Sequence, residues 1–201
     1  MTLRTLGLLI GAYGIGSIPT GYWLGKFWKG IDIRQQGSGN LGATNVFRVL
    51  GKGPGAFTLL IDILKGLLPV LWCHTHFPND ASLAVGVGLA AILGHTTSVF
   101  VRFRGGKGVA TSAGVFLALL PEAFLASIGV FALSLLFSRI VSLSSILAAL
   151  TLAAASLIWS PSSLQTALAF LVALFIIWKH RSNILRLWHG TEPRLWDKKT
   201  T

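Results

Sequence analysis

Seven apolar stretches, at about positions 6–27, 56–72, 81–101, 109–120, 123–137, 140–159 and 164–178, are separated by short polar gaps. A helix needs about 20 apolar residues to cross a bilayer, so the fourth and fifth stretches are short for that task. Pro121-Glu122 lies between them, marking either a tight turn between two short helices or a kink in one long one. The cations separate these options. Lys29, Arg34, Arg48 and Lys52 fall between stretches one and two, and Arg102, Arg104 and Lys107 between three and four. Arg139 lies between five and six, and Lys179, Arg181, Arg186, Arg194, Lys198 and Lys199 follow seven. The alternate gaps, 74–80, 121–122 and 160–163, hold no lysine or arginine. Such alternation requires a crossing at every stretch and puts the basic gaps in the cytoplasm. The pattern predicts an all-α bundle of seven transmembrane helices, with the N-terminus outside and the C-terminus cytoplasmic.

The first stretch starts like a signal peptide, with Arg4 before a short apolar core, but no A-x-A-like cleavage site follows. Gly7, Gly11, Gly14, Gly21 and Gly25 recur at helix-packing spacing, so it reads as a retained helix. With no soluble domain, long linker or convincing repeat, residues 1–201 read as one domain. Composition agrees: 53% hydrophobic and 11% charged residues, with a mean hydropathy of +0.70, leave too little polar surface to cover a soluble globule. The single cysteine, Cys73, excludes an internal disulfide and any multi-cysteine metal site. The formal charge of +11 sits at one predicted face, which suits the inside bias and anionic lipid rather than nucleic acid.

Every motif-like segment falls at that same face. Gly37-Ser38-Gly39-Asn40-Leu41-Gly42-Ala43-Thr44-Asn45 closes on Arg48. Glycines tolerate φ > 0 and let N–H groups converge on an anion. Ser38, Asn40, Thr44 and Asn45 add neutral donors, and Arg48 adds a planar fork suited to phosphate. The segment reads as a phosphate site, or as a glycine-rich turn capping the next helix. A second glycine-rich turn, Gly105-Gly106-Lys107-Gly108, opens a helix, where unpaired N–H groups favour anions. It is not a Walker A loop, because Gly108 stands where Ser or Thr should follow the lysine. Arg102 and Arg104 beside it read as headgroup anchors.

Ser142, Ser144 and Ser145 sit at a helix start, as caps or as ligand contacts. Residues 180–192 resemble an interfacial helix with Ile184, Leu185 and Trp188 toward lipid, which leaves Asn183 and Glu192 poorly explained. Asp62 and Lys65, one helical turn apart in an apolar stretch, can neutralise each other, as a structural pair or at a functional site. His95 reads as a packed, hydrogen-bonded group or as a base.

Together, Gly16-Ser17-Ile18-Pro19-Thr20-Gly21, residues 37–48, Asp62-x-x-Lys65-Gly66, Gly94-His95, residues 103–111, Ser142-Leu143-Ser144-Ser145 and the pattern in 180–192 resemble the bacterial acyl-phosphate:glycerol-3-phosphate acyltransferase family. The resemblance runs from residue 16 to 192. It implies an inner-membrane, multi-pass enzyme whose active site faces the cytoplasm. Such an enzyme moves a fatty acyl group from acyl phosphate to the 1-hydroxyl of glycerol 3-phosphate, giving lysophosphatidic acid in the first acylation of phospholipid synthesis. Ser38, Asn40 and Arg48 match the family's first motif. Gly105, Gly106, Lys107 and Gly108 match the second, associated with glycerol 3-phosphate. His180, Asn183 and Glu192 match the third, whose glutamate looks structural.

On this footing Ser38, Asn40, Arg48, Lys107, His180 and Asn183 are the expected catalytic residues. Gly37, Gly39, Gly42, Thr44, Asn45, Gly105, Gly106, Gly108, Ser144 and Ser145 are expected to bind substrate, with Asp62, Lys65, His95 and Glu192 in support. No cofactor or metal is expected. The implied partners are the two phosphate substrates, membrane lipid and the enzyme that makes acyl phosphate, and no nucleic acid.

An acyl phosphate is an activated mixed anhydride, so the protein mainly has to position groups and neutralise charge. The chain has no His-x4-Asp pair of the more familiar acyltransferases: His76 and Asp80 are one residue too close and, like Cys73, on the predicted outer side. A carrier for organic phosphates would need anion sites reachable from both faces, yet the outer gaps are short and include Asp80 and Glu122.

Overall fold

The computed structural model describes residues 2–195, so Lys198 and Lys199 lie outside it. All regular structure among the described residues is helical, and it divides into two compact units, Met1–Leu119 and Leu120–Thr201. The first holds α1 (Leu3–Ser17), α2 (Thr20–Lys29), α3 (Ala43–Leu50), α4 (Lys52–His76), α5 (Ala81–Thr96) and α6 (Val109–Leu119), with 3-10 turns at Ile33–Gln35 and Val99–Val101. The second holds α7 (Pro121–Ser138), α8 (Val141–Trp159), α9 (Ser163–Lys179) and α10 (Arg181–Trp188). Several helices start on side chains that accept an otherwise unpaired N–H: Thr2 from Thr5, Asp80 from Leu83 and Ser162 from Gln165.

The first apolar stretch is two helices, not one. Pro19 disfavours helical backbone at the residue before it, and Ile18 leaves the helix at φ −55°, ψ 110°. At the other ambiguous point, α6 ends at Leu119 and Pro121 occupies the first turn of α7, where its missing N–H costs nothing. Pro121-Glu122 is therefore a break between helices rather than a kink.

Four segments are long and apolar enough to cross a membrane: α4, α5 with its following 3-10 turn, α7 and α8. The α9–α10 pair, bent by 58°, makes a fifth if counted as one span. The expectation of seven is not met by length alone. α6, at 11 residues, rises only about 16 Å against a hydrocarbon core of about 30 Å, and the break at Ile18 leaves α1 with 15 residues.

In the first unit, α1 lies on α5 and α4 on α6 at glycine contacts. Gly16 faces the Ala91 carbonyl, Gly94 the Tyr13 carbonyl, Gly66 the Thr111 carbonyl and Gly114 the Ile63 carbonyl, each with no room for a Cβ. Small residues allow such approach, which gives apolar helices their dispersion energy where lipid supplies no hydrophobic drive. In the second unit, α8 packs between α7 and α9. Ser127 Oγ donates to the Ala148 carbonyl at 2.9 Å, and Ser144 Oγ bonds Ser134 Oγ at 3.1 Å, tying α7 to α8. The remaining faces are apolar and open, as lipid contact requires: Phe137 is 82% exposed and Leu136 68%.

Candidate active site

The first glycine-rich loop is moulded around one buried amide. Asn45, 1% exposed, donates through Nδ2 to the carbonyls of Ile33 (3.3 Å), Gln36 (3.0 Å) and Asn40 (2.9 Å). Its Oδ1 accepts the Ser38 N–H at 2.9 Å. Gly37 and Gly39 turn the chain at φ +59° and +70°; a Cβ on Gly37 would strike Asn45 Oδ1. Asn40 Oδ1 accepts from Gly42 N at 2.8 Å, closing the turn into α3. Beneath lie Ile33, Leu41, Val46 and Val101, all buried. Asn45, expected as a ligand donor, is thus consumed by its own loop. Ser38 is exposed, while Asn40, Gly42, Thr44 and Arg48 are half-buried. Upstream, Asp32 accepts from the Arg34 amide and guanidinium. The side-chain bond from Arg34 holds the Asp32 carboxyl below the usual carboxylate range.

The second loop is built on backbone instead. Helix α5 ends with unpaired carbonyls, and two of them accept from this loop: His95 O from Gly106 N at 3.1 Å, Thr96 O from Gly105 N at 3.2 Å. A Cβ on Gly105 would meet the His95 carbonyl, and one on Gly106 the His95 ring at Nε2. These two amides therefore do not converge outward on an anion, contrary to the expectation for Gly105 and Gly106. What the loop offers is half-buried Lys107 and, after Gly108 at φ +85°, the start of α6. Arg102 and Phe103, at φ 56° and 60°, hold left-handed backbone just before it.

A small cleft touches both loops and the broken first helix, being lined by Pro19, Thr20, Leu41, Asp62, Lys65, His95, Ser98, Gly105 and Gly106. Lys65 Nζ lies 2.8 Å from Asp62 Oδ1, the side chains 3% and 2% exposed. The same ammonium donates to the Ile18 carbonyl at 2.9 Å, and Ser98 Oγ donates to the Ser17 carbonyl at 2.5 Å. Interrupted backbone at membrane depth needs such partners. Thr20 Oγ1 reaches Asp62 Oδ1 at 3.4 Å, and His95 Nδ1 stands 3.8 Å from it. Thr20 and Ser98 had no role in the sequence reading; Pro19, which forces the break they line, was the available signal.

In the second unit one carboxylate gathers the polar groups. Glu192 Oε1 accepts from Ser142 Oγ (2.7 Å) and Asn183 Nδ2 (2.5 Å), and Oε2 from Arg186 Nε (2.7 Å). Burial pushes the Glu192 carboxyl up, but those three donors and the Arg186 charge outweigh it and hold the group below its usual value. This explains Asn183 and Glu192, which an interfacial helix alone does not. Ile184, Leu185 and Trp188 on the same helix are exposed. His180 Nδ1 lies 2.8 Å from the Ile176 carbonyl, so Nδ1 carries the proton and a neutral ring has its lone pair on Nε2. Neither Ser144 nor Ser145 caps α8: each donates to the carbonyl four residues back in its own helix, and both are buried.

Four helical segments long and apolar enough to cross a bilayer, with polar loops between helices, define an integral membrane protein. Residues 6–190 match the family model for glycerol-3-phosphate acyltransferase. A glycerol-3-phosphate acyltransferase of Desulforamulus reducens is 46% identical over 198 residues, 98% of either chain. Two crystal structures of PlsY (YgiH), an integral membrane glycerol 3-phosphate acyltransferase, are 41% identical over 95% of both chains. The glycerol 3-phosphate form aligns at a TM-score of 0.91 and the lysophosphatidic acid form at 0.87. The chain belongs to the glycerol-3-phosphate acyltransferase family.

Proposed function

We infer that the protein transfers a fatty acyl group from acyl phosphate to the sn-1 hydroxyl of glycerol 3-phosphate, giving lysophosphatidic acid and inorganic phosphate. The observation that carries this reading is the likeness, over 95% of the chain, to a solved relative in its glycerol 3-phosphate form. The first loop adds local support, because its amide scaffold leaves the Ser38 hydroxyl exposed and sets Arg48 on the helix that follows.

The substrate hydroxyl attacks the acyl carbonyl directly; the new ester C–O bond forms as the bond to phosphate breaks. Ser38 and Asn40 hold the oxyanion or the departing phosphate, while Arg48 and Lys107 grip glycerol 3-phosphate. The hydroxyl proton passes to the substrate's own phosphate, which titrates near ~6. Alternation of charge supports an N-terminus outside and a C-terminus and site on the cytoplasmic side of the bacterial inner membrane. With α1 and α2 making one crossing and α6 and α9 crossing as short helices, the count is seven. The family match runs across the boundary between the two units, which supports a single catalytic domain.

Purified protein in lipid is offered glycerol 3-phosphate with acyl phosphate or with acyl-CoA. Lysophosphatidic acid is expected from acyl phosphate alone. Product from acyl-CoA overturns the donor assignment, and an acyl-enzyme trapped with labelled acyl phosphate overturns direct transfer.

A further inference from the structure

We propose that His95 is a positioning residue for the second loop: held in place by the buried Asp62–Lys65 pair, its ring and carbonyl together form the seat that fixes Lys107. Three observations join. First, Asp62 Oδ1 is the meeting point of α2, α4 and α5, with Lys65 Nζ at 2.8 Å, Thr20 Oγ1 at 3.4 Å and His95 Nδ1 packed 3.8 Å away. His95 is 8% exposed, so its ring has little freedom of its own. Second, the opposite edge of that ring is what Gly106 rests on, since a Cβ there would meet Nε2, Cε1 and Cδ2 of His95 in turn. Third, the His95 carbonyl accepts the Gly106 N–H, so a single residue supports Gly106 through side chain and main chain at once. Lys107 follows directly. The histidine ring accounts for glycine at 106, whose φ is not in the left-handed range: a Cβ there would strike Nε2 of His95.

The consequence is chemical as well as steric. Lysine is a point charge on a flexible stem, and its grip on a phosphate depends on where its backbone starts. A loop tied to a buried ion pair starts from a fixed point. Asp62 and Lys65 themselves line the cleft as a mutually neutralised pair, so they act on the loop through His95 rather than by binding an anion.

The inference rests on the functional reading above, in which Lys107 grips glycerol 3-phosphate, and its test separates the two. Binding of labelled glycerol 3-phosphate without donor, and KM for each substrate, are measured on full-length wild type, His95→Ala, Gly106→Ala and the double variant, with His95→Asn as the conservative change. Each single alanine variant is expected to weaken glycerol 3-phosphate binding and raise its KM about tenfold, with KM for acyl phosphate and melting temperature held. The double variant should lose about tenfold in total, no more than either single variant, rather than the ~100-fold of independent sites, because both changes break one contact. His95→Asn, which keeps a donor toward Asp62, should recover part of the loss. Multiplicative losses, a loss shared equally by both substrates, or a fall in melting temperature that tracks the loss of binding each overturn the positioning role while leaving the functional reading intact. Wild-type protein that neither binds nor acylates glycerol 3-phosphate overturns the functional reading, and this inference with it.

Discussion

The two glycine-rich loops look alike in sequence and are built on opposite principles. Residues 37–45 wrap around a side chain, with Asn45 standing in for the secondary structure the loop lacks. Gly105 and Gly106 instead complete a helix end, their amides spent on the last carbonyls of α5. A loop moulded from inside can leave its outer hydroxyl for chemistry. A loop that caps a neighbour has little left except its side-chain charge. Glycine content alone does not distinguish the two; what the amides are bonded to does.

The contrast is sharpest under substitution. Arg48→Ala removes a forked cation on the helix that the first loop launches and should lower kcat/KM by about a thousandfold, measured as lysophosphatidic acid formed. Asn45→Ala removes the side-chain donor shared by three loop carbonyls and frees Ser38 to drift; a displacement of about 1 Å costs roughly a hundredfold. Near-normal turnover in that variant would show that the first loop keeps its shape without its amide, and the comparison would collapse. Lys107→Ala should act mainly on KM for glycerol 3-phosphate, by about tenfold, with kcat less affected.

A third region tests the contrast from outside, because its organiser titrates. Glu192, held below its ordinary carboxyl value of 4.5, contributes stability that is fully present above that value and is lost as pH falls through the lower, folded one. Melting temperature should therefore stay level down to about pH 4.5 and fall below it, and Glu192→Gln should start lower and lack that acid limb. The smallest effect is expected at Arg102, exposed and left-handed at φ 56°. Arg102→Gly should leave turnover unchanged and stabilise by about 1 kcal/mol, read by thermal melting.

Much of this was legible along the chain, and the failures share a cause. Hydropathy and charge identified an all-helical membrane protein, and the ordered motifs identified its family. The Asp62–Lys65 pair showed because helical neighbours three residues apart share a face. Its third partner, His95, is 33 positions from Asp62, and no local spacing announces it. The first stretch reads as continuous because Ser17 and Thr20 interrupt its hydropathy too little, although Pro19 marks the break. Asn45 looked like a donor awaiting a ligand because a sequence shows which groups can bond, and only the fold shows which already have. The same applies to Ser144 and Ser145, whose hydroxyls turn back on their own helix.

The glycine contacts of the first unit bear on how the protein meets bilayers of different thickness. Where α1 meets α5 and α4 meets α6, carbonyl faces glycine with no side chain between. Sliding one helix past the other by a single residue, about 1.5 Å, would push those carbonyls against bulkier neighbours. Hydrophobic mismatch, which looser bundles absorb by shear between helices, is left here to tilt and to deformation of the surrounding lipid. The cleft beside these contacts should therefore keep its dimensions when membrane composition changes.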